Sequence, residues 1–298
     1  MSVLCFGSLN IDHTYQVDRF LRPGETACAA GYEVHAGGKG LNQAIALARA
    51  GAAVHMAGCV GPDGGKLLEL LRSEGVRTEC VEEVPVPTGH AVIQVDGGGQ
   101  NCILICAGAN ASVSQAQVRR TLDRFSAGDA VLLQNEIPEI DCIARLAKRR
   151  GMELWLNPSP ITAELPAGDA VALADWIVAN ELELAALTGA EDPLQGVSRF
   201  IGRYPEKKLV LTLGGEGSLF AGDGAVLRQD AVPVTAVDTT GAGDTYLGYF
   251  LAVFLRTGSP ETALEQAAEA ASLAVTRRGA AEAIPRAEEL AARAADRR

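Results

Sequence analysis

The chain has 298 residues, of which 48% are hydrophobic and 21% charged, a composition typical of a globular protein with one large domain or two small ones. Its formal net charge of −11 argues against a nucleic-acid or membrane-surface binder, because such a protein needs a basic face. We therefore expect no nucleic-acid or membrane partner. An anionic ligand would have to be held by local donors rather than by the overall field of the protein.

The first residues lack the basic and apolar regions of a signal peptide, and no apolar run approaches the ~20 residues of a membrane span. The seven cysteines form no C-x-x-C pair, which is typical of reduced thiols. The four histidines are scattered and form no zinc motif. We expect a cytoplasmic protein.

Strand-like and helix-like segments alternate along most of the chain. The predicted strands are 3–6, 53–60, 130–134, 153–157, 176–179 and 209–213. The predicted helices between them are 42–50, 65–74, 114–125, 141–150 and 181–187. This alternation predicts an α/β fold with a mostly parallel central sheet and helices on both faces.

Two pairs of segments depart from this alternation. Strand-like residues 14–18 and 28–35 form one pair, and 91–95 and 102–106 flank the turn sequence DGGGQN. We interpret them as a small separate β-sheet that covers a site. The sequence thus predicts one domain over residues 1–298, with lid segments inserted near 14–35 and 91–106. Near the C-terminus, Ser259 and Pro260 mark a helix start and Gly279 its end.

The strongest candidate for an anion site is DTTGAGDTYLGYFLA, residues 238–252. It follows the strand-like segment 231–238, and no Walker A or G-x-G-x-x-G motif competes with it. The small-residue turn and the helix start direct backbone N–H groups and a partial positive charge toward one point. Asp244 in the first turn could take a proton from a hydroxyl that attacks phosphorus. An aspartate that only stabilises a helix start is an equally good interpretation at this point.

Two further clusters carry polar side chains. In AGGKGLNQ the glycines allow a ligand close to the backbone, and Asn42 follows in the first helical turn. In GSLNID, Asn10 and Asp12 come directly after the first strand, where α/β sheets bind ligands and where a carboxylate can bind a diol. A glycine turn with a solvated Lys39, and an Asx-turn at a strand end, are the alternative interpretations.

Together the three clusters resemble the ordered motifs of the ribokinase, or phosphofructokinase B-type (PfkB), family of sugar kinases, and within it most closely the ribokinases. The resemblance extends through LLQNEIP, LNPSP, ANELELAALTG, LTLGGEG and AVTRRGA, and so covers nearly the whole chain. It implies a doubly wound α/β domain with a small β-sheet lid. It also implies ATP, Mg²⁺ and an activating K⁺, and a homodimer formed by pairing of two lids.

The resemblance assigns roles to individual positions. It implies that Asp244 is the catalytic base and that Gly241, Ala242 and Gly243 form the anion hole. The positions that match sugar contacts are Asn10, Asp12, Gly38, Lys39, Asn42 and Glu136. The positions that match nucleotide contacts are Asn180, Thr212, Gly214 and Gly217, with Glu183 near the magnesium-bound phosphates. The positions that match the monovalent-cation site are Asp238 and Thr240, with backbone oxygens near Ala274, Arg277 and Gly279.

The resemblance therefore implies ATP-dependent phosphorylation of the 5-hydroxyl of D-ribose to D-ribose 5-phosphate. The alternatives are the same chemistry on deoxyribose or on a nucleoside such as adenosine or pseudouridine, a non-catalytic sugar or nucleotide sensor, and a more distant NAD-dependent oxidoreductase. Two positions depart from the family pattern. Leu41 stands where alanine is common, and Ala283 stands where a hydroxyl residue is common near the cation site.

Overall fold

The structure is a computed structural model that describes residues 1–98 and 100–296. The strands are β1 (Val3–Phe6), β2 (Asn10–Gln16), β3 (Gly31–Gly37), β4 (Val54–Val60), β5 (Arg77–Glu83), β6 (Gly89–Val95), β7 (Asn101–Cys106), β8 (Ala130–Gln134), β9 (Glu153–Asn157), β10 (Trp176–Asn180), β11 (Lys208–Thr212), β12 (Ser218–Gly222) and β13 (Ala225–Gln229). The helices are α1 (Lys39–Arg49), α2 (Gly65–Ser73), α3 (Gln115–Leu122), α4 (Ile140–Arg149), α5 (Asp169–Leu173), α6 (Glu181–Thr188), α7 (Pro193–Arg203), α8 (Ala242–Thr257), α9 (Pro260–Ala274) and α10 (Ala287–Asp296).

Nine strands form the central sheet, in the order β13-β12-β11-β10-β9-β8-β1-β4-β5. The strands from β11 to β5 pair in parallel, and β12 and β13 add an antiparallel edge. Alternate residues of β1 face opposite sides: Val3 packs in the core with α1, α2, α8 and α9, and Leu4 packs in the core with α3 to α7. The doubly wound α/β prediction is confirmed.

The second sheet has four strands in the order β3-β2-β6-β7 and is called the small sheet below. Strand β2 pairs antiparallel with β3 and parallel with β6, and β6 pairs antiparallel with β7. A separate small sheet was predicted, but two strands begin earlier than expected, at Asn10 and Gly89. Residue 99 of the DGGGQN turn and residues 297 and 298 lie outside the described residues. The interpretation of the small sheet as a lid stays a prediction.

Three predictions from sequence were wrong in detail. Residues 231–238 form no strand, because no neighbouring strand pairs with them. The helix that begins after Ser259 ends at Ala274 rather than near Gly279, where φ is +90° and the backbone has already left the helix. Asn10 and Asp12 lie inside β2, where their backbones pair with β3 and β6, so the alternative of an Asx-turn at the end of β1 is wrong. No helix within the described residues has both the length and the apolar character needed to cross a membrane.

Candidate active site

The candidate site lies where the parallel strands of the central sheet end. Gln134, Asn157, Asn180 and Thr212 are the last residues of β8, β9, β10 and β11. In register, Gln134 lies opposite Asn157, and Asn180 lies opposite Thr212. Four polar side chains thus share the carboxyl edge of the sheet, the usual place for a ligand in an open α/β fold.

The start of α8 faces this edge. Gly241 precedes the helix with a φ of +71°, a backbone conformation that favours glycine. Ala242 N donates to Thr239 O at 3.2 Å, and Thr245 N donates to Gly241 O at 2.8 Å. The N–H groups of Gly243 and Asp244 lie between them in the first turn, where a helix offers no acceptor. They carry the positive end of the helix dipole and suit an anion.

Asp244 is only 8% exposed and is held by α1. Asn42 Nδ2 donates to its Oδ2 at 3.1 Å, and Gln43 Nε2 donates to its Oδ1 at 2.8 Å. Asn42 Oδ1 is buried and has no hydrogen-bond partner in the structure. Residues about 200 positions apart in sequence thus meet at one carboxylate, whose two oxygens each accept one amide hydrogen bond.

A cavity of about 140 Å³ opens in front of Asp244. Its lining combines the helix start with the strand ends, and the polar side chains that line it are Lys39, Asn157, Ser159, Asn180, Glu183, Thr212, Thr239 and Asp244. Of these, Asn157, Ser159 and Thr239 were not predicted from sequence, although LNPSP was part of the motif series. Asn157 and Ser159 are single polar residues near a strand end, which no local pattern distinguishes from a turn, and Thr239 lies inside the DTTGAGD motif without a local signal of its own.

Glu183 is buried at the wall of this cavity, where it forms a capping box with Asn180. Asn180 Oδ1 accepts from Glu183 N at 2.9 Å, and Glu183 Oε2 accepts from Asn180 N at 3.0 Å. The reciprocal bonds satisfy two unpaired N–H groups of α6. They also fix a carboxylate beside the cavity.

Lys39 and Glu136 meet at the start of α1. Glu136 Oε2 accepts from Lys39 N at 3.2 Å and from the Ser8 hydroxyl. Burial alone would lower the pKa of Lys39, but the carboxylates of Asp244, Glu136 and Glu183 outweigh it and raise this pKa. Lys39 therefore stays charged in a partly buried, carboxylate-rich site. Ser8 was not predicted from sequence.

Asn10 and Asp12 approach from the small sheet. Asn110, itself buried, donates to Asn10 Oδ1 at 2.7 Å and to Leu9 O at 3.3 Å, and it accepts from Leu9 N at 3.0 Å. Burial and the nearby Glu136 carboxylate raise the pKa of Asp12 to about 6. The neighbouring Gly37 leaves room for this carboxylate, because a Cβ there would lie 2.0 Å from Asp12 Oδ2.

A second cavity, of about 470 Å³, adjoins the first. The two share Thr212, Thr239, Ala242 and Gly243. Gly214 and Gly217, predicted from sequence, lie along the second cavity, and its apolar lining includes Val232, Val234, Ala268, Ala271 and Val275. The apolar residues were not predicted. They come from the irregular segment 231–236, from α9, whose alanines are typical of any helix, and from Val275 just after it.

The predicted cation-site residues lie behind the start of α8. Asp238 Oδ1 accepts from Thr240 N at 2.9 Å and from Thr240 Oγ1 at 2.7 Å, and Asp238 Oδ2 accepts from Gly279 N at 2.9 Å. Burial raises the pKa of Asp238, but these hydrogen bonds outweigh it and lower the pKa below the usual range. Asp238 is therefore an anion that joins the α8 turn to the segment after α9.

The other residues predicted for the cation site, Ala274 and Arg277, make no hydrogen bond to Asp238 among the described contacts. Ala274 O accepts from Arg277 N at 3.0 Å, and the Arg277 guanidinium pairs with Glu289. Ala283 is buried. Leu41, which departs from the family pattern, is fully buried in the core and is absent from the lining of both cavities in the part of the chain described.

Comparison with known proteins identifies the family. A model described as "pfkB family carbohydrate kinase" matches residues 1–287. Ribokinase of Haemophilus influenzae is 35% identical, with 94% of each chain covered, and deoxyribokinase of Salmonella typhi is 31% identical, with 96% of each chain covered. The structure of Arabidopsis thaliana ribokinase complexed with ribose and ATP is 32% identical, covers 98% of this chain and 97% of that chain, and gives a TM-score of 0.84. The chain therefore belongs to the pfkB family of carbohydrate kinases and is a sugar kinase, a phosphotransferase with an alcohol group as acceptor.

Proposed function

We propose that this sugar kinase transfers the γ-phosphoryl group of ATP to the 5-hydroxyl of D-ribose, giving D-ribose 5-phosphate and ADP. The observation that carries the proposal is the position of Asp244 at the start of α8, where two amides hold its carboxylate beside the smaller cavity. The relatives named ribokinase, and the solved ribokinase with ribose and ATP, support the choice of substrates.

Asp244 acts as the general base in this reaction. The 5-hydroxyl oxygen attacks the γ-phosphorus as its proton passes to Asp244, and the bond to the ADP oxygen breaks on the opposite side. The Gly241-Ala242-Gly243 turn forms the anion hole for the transferring group, because the N–H groups of Gly243 and Asp244, which have no acceptor in the helix, can donate to its oxygens.

The sugar contacts that we propose are Asn10, Asp12, Gly38, Lys39, Asn42 and Glu136. Asn110 occupies Asn10 Oδ1, so the free Asn10 N–H groups can donate to a hydroxyl. Asn42 Oδ1 is a buried acceptor without a partner, and a sugar hydroxyl beside Asp244 would satisfy it. Gly38, with a φ of +92°, lets the chain turn into α1 close to the Ser8 backbone, because a Cβ there would lie 2.9 Å from Ser8 O.

ATP would lie across both cavities. The larger, mostly apolar cavity suits the nucleoside, with Gly214 and Gly217 along it, and the shared residues Thr212, Ala242 and Gly243 suit the phosphates. Asn180 and Glu183 border the phosphate side.

We further propose that Mg²⁺ reaches this site on the phosphates. Mg²⁺ in such sites is usually bound by substrate phosphates and water together with one or two carboxylates. Glu183 is the carboxylate that would support it. When bound, this ion neutralises charge on the phosphates during transfer.

We place a K⁺ site at Asp238 and Thr240, with backbone oxygens near Ala274, Arg277 and Gly279. Support comes from the anionic Asp238 carboxylate, which joins Thr240, just before α8, to Gly279, in the segment after α9, beside the anion hole. A bound cation would stabilise the Gly241 turn. Because Ala283 offers no hydroxyl, we expect backbone carbonyls to supply most of the ligands.

Release of ADP over a panel of ribose, 2-deoxyribose, fructose, adenosine and pseudouridine tests the proposal, with and without K⁺. We expect ribose to give the highest kcat/KM, K⁺ to increase the rate, and NMR of the product to place the phosphate on the 5-oxygen. No turnover with any acceptor would contradict the sugar-kinase mechanism. A preference for 2-deoxyribose is the second candidate, which the deoxyribokinase relative favours.

A further inference from the structure

A chain of buried amides lies behind Asp244. Gln43, on α1, donates from Nε2 to Asp244 Oδ1 at 2.8 Å, and Gln134, at the end of β8, donates from Nε2 to Gln43 Oε1 at 2.6 Å. Both glutamines are 0% exposed. Hydrogen bonds in such a dry environment are stronger than in water, and their loss leaves unpaired buried groups.

The contacts determine which way the Gln43 amide faces. Val178 O can only accept, so Asn157 directs Nδ2 toward it at 2.9 Å and Oδ1 toward Gln43 Nε2 at 3.2 Å. The Asp244 carboxylate also accepts from Nε2, which places Gln43 Oε1 toward its remaining neighbour, Gln134. Every polar atom of Gln43 is thus engaged, and a flipped amide would lose these bonds.

The side chain of Gln134 packs against Gly7, the residue after β1, where a residue with a Cβ would clash with it. A Cβ on Gly7 would lie 1.9 Å from Gln134 Oε1. The amide chain therefore connects the ends of β8 and β9 to Asp244 on α8. Asn42 alone holds only Oδ2 of Asp244, and a carboxylate held at one oxygen can still rotate about its Cβ–Cγ bond.

We propose that Gln43 is a positioning residue that fixes the plane of the Asp244 carboxylate for proton transfer from the sugar hydroxyl, and that Gln134 fixes Gln43. This inference rests on the role of Asp244 as the base in the proposed function. Gln43 does not contact the substrate, so its loss should change kcat more than KM. A displacement of about 1 Å at a reacting group can reduce the rate about 10²-fold.

The test compares Gln43→Met with Gln117→Met. Gln117, on α3, is 1% exposed and donates from Nε2 to Gly58 O at 2.7 Å, so it matches Gln43 in type and burial but lies away from the site. We expect Gln43→Met to lower kcat about 10- to 100-fold, with KM for ribose and ATP within about threefold of wild type. We expect Gln117→Met to lower Tm but keep kcat within about twofold.

Gln134→Met provides a second variant if Gln43→Met does not fold. This substitution keeps Gln43 but removes the Gln134 amide that donates to Gln43 Oε1. We expect a smaller loss of kcat, about three- to tenfold, without a matching change in KM. An unchanged kcat in a folded Gln134→Met protein would contradict the orienting role of Gln134.

The Asp244→Asn background separates this inference from the proposed function. If Gln43 acts through Asp244, Gln43→Met adds no further loss of kcat to Asp244→Asn. Two results would overturn the positioning role and leave the proposed function intact. One is that Gln43→Met lowers kcat as much in the Asp244→Asn background as in wild type. The other is a wild-type kcat in Gln43→Met while Asp244→Asn has lost its activity. A wild-type kcat in Asp244→Asn would overturn the proposed function itself.

Discussion

Asp12 has a raised pKa because the fold buries its carboxyl group among other acids. Burial is the largest cause and Glu136 the next, while His35 counteracts them and Glu282 adds to them. The pKa rises from its ordinary value of 3.8 to about 6. A raised carboxyl pKa means that the folded state binds the proton more tightly than the unfolded state, so the charged form costs stability.

We predict that Asp12→Asn raises Tm of the sugar-free protein at pH 7.5. The loss of folding free energy caused by the charged Asp12 carboxylate is absent below pH 3.8. It develops as pH rises to about 6 and is complete above that value. The gain in Tm should therefore be a few degrees at pH 7.5 and should shrink toward zero near pH 4. Thermal unfolding at several pH values measures it.

Asp18→Asn is the matched control, since Asp18 is an exposed aspartate just beyond β2. Its Tm should follow that of wild type at each pH. A Tm gain for Asp12→Asn that stayed the same from pH 4 to pH 7.5 would contradict the ionisation argument. The same variant should weaken ribose binding if Asp12 contacts the sugar.

Sequence patterns could identify Asp244 and Asn42 but not the amides around them. Asp244 follows a glycine turn before an apolar helix, a pattern that predicts an anion site with a carboxylate beside it. Gln134 and Asn157 are single polar residues at the ends of buried strands, and Gln43 follows Asn42 just before the apolar run AIALA of α1. Their common role depends on which strands are neighbours, and a local pattern does not contain that information.

At the scale of elements, the close approach of α1 and α8 brings Asp244 to its two amides. The helices touch at Gly248, where a Cβ would lie 2.4 Å from Ala46 Cβ and 2.9 Å from Leu47 N. A side chain at this position must push the helices apart. Because Asn42 and Gln43 lie on α1 and Asp244 on α8, such a shift lengthens both hydrogen bonds of the carboxylate.

We predict that Gly248→Ala lowers both stability and kcat. Overpacking of this kind costs about 1–3 kcal/mol, and the separated helices should reduce kcat about tenfold or more. Gly202→Ala is the control, because Gly202 is exposed on α7 and a Cβ there meets nothing within 4 Å. Thermal unfolding and steady-state kinetics measure both effects.

Adding Ala46→Gly to Gly248→Ala removes one of the two clashing methyl groups and should restore part of the lost stability. If Gly248→Ala behaved like Gly202→Ala in both measurements, the contact between α1 and α8 would not control the geometry of Asp244.

Most of the elements of the central sheet could be predicted because their apolar runs and helix signals are local. The predicted and observed bounds of β1, β8 and β9 coincide. The antiparallel edge β12–β13 and the helix α7 were not predicted from sequence. The segment 231–238 shows the limit of such patterns, since its apolar residues line a cavity instead of pairing in a sheet.

At the scale of the whole molecule, the small sheet exposes an apolar outer face. Val34, Val92 and Leu104 lie side by side across the sheet with His13, on the face opposite Asp12. Leu104 is 71% and Val34 51% exposed. An exposed apolar face of this kind is typical of a protein interface. We propose that it pairs with the same face of a second copy, in the homodimer expected from the family resemblance.

We predict that the double variant Val34→Asp/Leu104→Asp is monomeric while wild type is dimeric. The two charges would be buried and unpaired in the interface. Sedimentation velocity measures the change, with Leu182→Asp as the control, because Leu182 is 78% exposed on α6. A wild-type monomer, or a double variant that still forms the dimer, would contradict the pairing of small sheets.

We propose that Asp244 is the base that enables transfer of the phosphoryl group from ATP to ribose. The most direct measurement is kcat for ribose phosphorylation by Asp244→Asn, with ATP binding measured on the same protein. We expect kcat to fall about 10²-fold or more while the Kd for ATP stays within a few-fold of wild type. An Asp244→Asn enzyme that phosphorylates ribose at the wild-type rate would contradict the claim.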